Sequence, residues 1–95
     1  MVLTLQQVEQ IELHFYQADD TELWQRVKAV TWKRYNGSRI GALMYRRYVL
    51  GERRRPPGMN IDTYYRYRNE FILYAALELA RNGVDVFELG NNNET

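Results

Sequence analysis

The sequence predicts an all-α fold: a four-helix domain with a helix-turn-helix-like C-terminal pair joined by a long basic loop. Three observations lead there. Apolar residues recur at steps of three and four through most of the chain, the periodicity of a helix with one buried face. The periodic stretches open on Thr, Ser or Asn, whose side-chain oxygens accept the unpaired N–H groups of a first helical turn. They close on Asn36-Gly37, Gly51 and Asn82-Gly83, where glycine supplies the left-handed residue that ends a helix. One helical domain is expected over residues 1–89 and a disordered tail over 90–95.

The first helix is expected from Leu5 to Tyr16. Thr4 and Gln7 have capping-box spacing, and Leu5, Val8, Ile11 and Phe15 form the apolar stripe, with Glu12 as its one polar intruder. His14 lies off that stripe and reads as surface. Asp19 with Glu22 reads as a capping pair for a second helix over Thr21–Tyr35 rather than as a cation site, since hard cations need six or more oxygens in a shaped loop. Trp32 falls away from the main face of that helix and is expected to pack against a neighbour. Ser38 caps a third helix over Arg39–Leu50. Glu52 to Gly58 is a loop of basic and helix-breaking residues, stiffened by Pro56-Pro57. Asn60 then caps a fourth helix over Ile61–Arg81, with Asp62 in the first turn, where the helix dipole favours negative charge. Val84 to Leu89 alternates and suggests a short extended segment placing Val84, Val86 or Phe87 on the core.

The net charge of +1 conceals a segregated pattern. Up to Gln25 there are only acids: Glu9, Glu12, Asp19, Asp20 and Glu22. From Arg26 to Arg68 the chain carries twelve of its thirteen basic residues against Glu52 and Asp62, a local charge of +10. Beyond Asn69 five acids stand against Arg81. A block of this kind meets an external anion, or an acidic flank of its own fold or of a neighbouring subunit. Without cysteine, disulfides and thiol chemistry are excluded, which suits a cytoplasmic setting. No apolar run approaches the length of a membrane span and the start lacks the pattern of a signal peptide, so no membrane association is expected. The residue set also argues against an enzyme, a cofactor or a metal site. It has one histidine, one serine at a cap position, no phosphate-binding glycine loop and paired acids only at helix starts.

The last two helices instead suggest duplex DNA as partner. In a helix-turn-helix the opening turns of the second helix meet base edges, which makes Thr63, Tyr64, Arg66 and Tyr67 candidate readers. Arg39, Arg46, Arg47, Arg53, Arg54 and Arg55 are the candidate phosphate contacts. At least two of Tyr64, Tyr65 and Tyr67 are expected to serve packing. The arginines between positions 39 and 68 are expected to converge on one exposed wall, and a homodimer is the expected form because short domains gain affinity that way.

Thr63-Tyr64-Tyr65-Arg66-Tyr67-Arg68-Asn69-x-Phe71-Ile72, followed by Ala75-Ala76-x-x-Leu79-Ala80-x-x-Gly83-Val84, resembles the C-terminal end of the RinA/ArpU-like regulators of phages of Gram-positive bacteria. The likeness covers about a quarter of the chain. It implies a small helical transcriptional regulator with a DNA-binding region like region four of sigma factors, acting on phage genes in a bacterial cytoplasm, with host RNA polymerase as a further partner. The family's short turn is replaced here by the longer Gly51–Asn60 connection. The alternative expectation is a small helical phage assembly or packaging protein whose acidic ends pair with a neighbour's basic middle.

Overall fold

The computed structural model describes residues 2–18 and 21–88. It is all-α, with helices α1 (Leu5–Tyr16), α2 (Glu22–Tyr35), α3 (Arg39–Tyr48) and α4 (Ile61–Arg81), followed by a single 3₁₀ turn over Val86–Glu88. Each start is explained by its cap. Thr4 and Gln7 exchange hydrogen bonds: the Gln7 amide donates to Thr4 Oγ1 at 3.1 Å, and the Thr4 amide donates to Gln7 Oε1 at 2.9 Å. Thr21 caps α2 by accepting from the Trp24 amide at 3.3 Å; the expected Asp19–Glu22 pair involves Asp19, which with Asp20 lies outside the described residues. Asn60 Oδ1 takes the amides of both Asp62 and Thr63.

Helix α3 ends at Tyr48, two residues before the expected Leu50. The Leu50 amide turns back to the Tyr45 carbonyl and the Glu52 amide to that of Arg46, with Gly51 at φ +76 making the reversal. Residues 84–88 are likewise not extended. Asp85 gathers the Phe87 amide on its side chain and the Glu88 amide on its carbonyl, which winds a 3₁₀ turn. Val86 is buried there, Val84 is partly buried and Phe87 stays exposed. Gln7 Nε2 donates to the Phe87 carbonyl at 3.2 Å and ties the turn to α1.

Helix α4, of 21 residues and about 31 Å, is the axis on which the others pack. Every helix sends a ring to a common centre: Phe15 from α1, Trp32 and Tyr35 from α2, Tyr48 from α3 and Phe71 from α4. Phe71 lies 5.1 Å from Phe15, 4.9 Å from Trp32 and 5.8 Å from Tyr48, centroid to centroid. Such tilted and edge-on pairs add to the burial of the rings themselves. Ile11, Val27, Met44, Ile72, Ala75, Ala76 and Leu79 complete the apolar core. Three residues, Asn36, Gly37 and Ser38, connect α2 to α3, and the approach there is close. A Cβ built on Gly41 would stand 2.1 Å from the Tyr35 carbonyl oxygen.

Glu12 resolves the one irregularity in the apolar stripe of α1. It is 5% exposed, and Arg47 and Arg68, at 7% and 8%, are buried beside it. Its carboxylate accepts from Arg47 Nε at 2.7 Å and from the Tyr48 hydroxyl at 2.8 Å, with Arg68 Nη1 at 3.8 Å. A charge this deep is tolerable only when paired and hydrogen-bonded, and here α1, α3 and α4 each supply a member. Burial, then the Glu12 carboxylate, pushes the Tyr48 hydroxyl far above its ordinary range. Arg47 also stays charged: its burial works against ionisation, but hydrogen bonds to Glu12 and Tyr64 outweigh that and raise its pKa. Among the described residues no helix is long and apolar enough to cross a membrane.

Candidate nucleic-acid interface

The connection from α3 to α4 runs through residues 49–60, far beyond the three or four residues of a tight helix-turn-helix. It is nevertheless fixed at several points. Arg47 Nη1 donates to the Arg53 carbonyl at 2.9 Å and to the Tyr64 hydroxyl at 3.3 Å, so the buried arginine holds both the loop and the head of α4. The Arg53 guanidinium lies over the Tyr16 ring, 4.0 Å from its centroid, and Arg55 Nη1 donates to the Met59 carbonyl at 2.7 Å. Met59 itself is buried, and its amide donates to the Pro56 carbonyl.

Held this way, Arg53, Arg54 and Arg55 line one cleft of about 400 Å³ together with Pro57, Ile61 and Tyr65. All three arginines are exposed and no acid is part of the lining. The cleft sits beside the first turn of α4, which supplies Ile61 and, one turn on, Tyr65. Chemically it is an anion site with an apolar wall.

The ten candidate residues do not share one surface. Arg53, Arg54 and Arg55 come together. Arg66 is exposed on the next face of α4, its guanidinium 5.8 Å from the Tyr67 ring centroid; Thr63 and Tyr67 are half-buried. Arg39 is exposed but opens α3, about 15 Å from the end that leads into the loop. Arg46 is exposed and spends its charge on Glu52, with Nε 2.6 Å from the carboxylate. Arg47 and Tyr64 belong to the interior. Tyr64 is 2% exposed with its hydroxyl on Arg47, so neither can reach a nucleic acid without dismantling the Glu12 network. The single arginine wall is therefore not formed, because Glu12 draws Arg47 and Arg68 inward and Glu52 covers Arg46. Tyr65, one of the three tyrosines expected to share out the packing, stands in the cleft with Ile61 instead. Their spacing of four placed them on one face, but nothing local told which face met solvent.

A second, larger cleft of about 710 Å³ lies between α2 and α3, lined chiefly by Trp32, Tyr35, Gly41, Ala42, Tyr45 and Val49. Its one charged liner is Arg46, already paired. Tyr35 is anchored there by its hydroxyl, which lies 3.3 Å from Glu70 Oε2. Burial, followed by the negative charge of Glu70, pushes the Tyr35 hydroxyl up to about 12. Among the described residues no group of His, Cys, Asp and Glu is placed to hold a metal ion.

No family model, no curated protein and no solved structure matches this chain.

Proposed function

We propose that the protein is a DNA-binding regulator of the phage type, which grips the sugar-phosphate backbone with the α3–α4 loop and reads sequence with the exposed side of the head of α4. The observation that carries this reading is the acid-free cleft in which Arg53, Arg54 and Arg55 converge beside Ile61 and Tyr65. Three guanidinium groups held together in water repel one another; the arrangement is stabilised when the phosphates of a polyanion bind them and release their own condensed cations to solution. The phosphate-contacting set is Arg53, Arg54 and Arg55. Arg66, with Thr63 and Tyr67 beside it, is positioned for base edges, and an arginine that meets guanine in the major groove does so through two hydrogen bonds. A homodimer gives two such surfaces and the affinity that one small domain lacks, and host RNA polymerase is the partner through which a bound regulator would act.

The test is an anisotropy titration with duplex DNA of several sequences. Arg54→Ala weakens binding to all sequences alike, whereas Arg66→Ala narrows the gap between best and worst sequence by about 1–3 kcal/mol. A protein whose self-association, and not its DNA affinity, responds to these changes is the assembly component of the alternative reading, with a neighbour's acidic flank in the cleft.

A further inference from the structure

We infer that the cleft takes an unpaired nucleotide, its phosphate on the guanidinium groups and its base against Tyr65 and Ile61, so that single-stranded DNA is bound in preference to a closed duplex that lacks the sequence read by α4. The inference rests on the nucleic-acid reading above and specifies the form of nucleic acid that the same site accepts.

The size of the cleft comes first. At roughly 30 Å³ per water molecule, its 400 Å³ equals about a dozen waters, more than a bare phosphate fills. Its composition comes second. Half of the lining residues are Arg53, Arg54 and Arg55 and the other half are Pro57, Ile61 and Tyr65. Ile61 is 51% exposed and Tyr65 is 38% exposed, and four residues apart on a helix they are direct neighbours. This apolar wall is unused by an inorganic anion.

The tyrosine is also fixed before any ligand arrives. The buried Arg68 guanidinium lies 4.8 Å from the Tyr65 ring centroid, and the Tyr64 ring meets it nearly edge-on at 5.4 Å. Arg68 is held in turn beside Glu12 and by the Asn69 side chain. A ring pinned by buried neighbours loses little freedom when a base stacks on it. A closed duplex presents phosphates and sugars to a side-on cleft and keeps its base faces inside the stack. An unpaired base presents a flat face of its own, and a basic groove with an aromatic platform suits such strands largely regardless of sequence.

The experiment compares a labelled oligo-thymidine strand with a hairpin duplex of equal phosphate number, closed by a non-nucleotide linker so that it holds no unpaired base, at low salt, for the wild type, Tyr65→Ala, Tyr65→Phe and Ile61→Ala. The strand is expected to bind the wild type more tightly than the hairpin. Tyr65→Ala weakens the strand by about 5- to 150-fold and leaves the hairpin unchanged, while Tyr65→Phe keeps strand binding because stacking needs the ring and not the hydroxyl. If the circular dichroism of Tyr65→Ala shows lost helix, Ile61→Ala at the half-exposed neighbouring position gives the same readout. Tighter binding of the hairpin, or equal loss for strand and hairpin in both alanine variants, overturns the inference while leaving the DNA reading in place. A wild type that binds neither probe overturns the DNA reading itself.

Discussion

Replacing Glu12 with leucine removes the only carboxylate among the described residues that pairs with the two buried arginines. Arg47 Nε would lose an acceptor at 2.7 Å, the Tyr48 hydroxyl one at 2.8 Å, and Arg68 its counter-charge at 3.8 Å. Breaking a buried ion pair from one side costs about 3–5 kcal/mol, because the partner charge stays behind uncompensated. A domain of 95 residues has roughly 5–14 kcal/mol of total stability at 0.05–0.15 kcal/mol per residue, so this one substitution removes about a fifth of it at the least. Glu12→Gln keeps an acceptor oxygen and costs less. Adding Arg47→Met and Arg68→Met to Glu12→Leu recovers part of the loss, since an apolar replacement of a whole buried cluster is tolerated far better than half of one. Urea unfolding followed by helical circular dichroism reads all three. A Glu12→Leu midpoint indistinguishable from wild type, with the same denaturant slope, would show that the arginines reach water and that the network described here does not hold the helices together.

Two further predictions concern the fold. Gly41→Ala forces a methyl group onto the Tyr35 carbonyl, which lies 2.1 Å from the position it would take; the α2–α3 corner must open, with an expected loss of about 1–3 kcal/mol in the same urea assay. The second is a pH dependence. Tyr35, at about 12, and Tyr16 and Tyr48, also raised, bind their protons more tightly folded than unfolded. Their stabilising contribution is complete below the ordinary tyrosine pKa of 10 and is lost as pH rises from there through about 12. Melting temperature should accordingly hold steady up to about pH 9.5 and fall above 10, and Tyr35→Phe should blunt that fall.

The fold was largely legible in the sequence because its signals are local. Thr4 with Gln7, Ser38, Asn60 and the glycines at 37, 51 and 83 each act within a few residues, and the caps appear where those residues predict them. What is not local was not legible. Glu12 reads as a defect in an apolar stripe until its partners, 35 and 56 positions away in the chain, are brought against it. The same event takes Arg47 and Tyr64 out of the candidate site, since one helix stripe holds Tyr64 and Tyr65 alike and only packing decides that Tyr64 turns inward. The alternation over residues 84–88 signals which side chains are buried, but Asp85 as a local acceptor decides the backbone, and a turn prevails over a strand that has no partner to pair with.

The most direct measurement is the salt dependence of duplex DNA binding for the wild type and for a variant with alanine at positions 53, 54 and 55. With Arg53, Arg54 and Arg55 as the phosphate-contacting cations, the wild-type plot of log affinity against log salt concentration should have a slope of about −2.7. The variant, with that set removed, should bind more weakly with a much shallower slope, approaching zero. Equal slopes for the two proteins would place the polyanion somewhere other than the loop at the head of α4 and contradict the account.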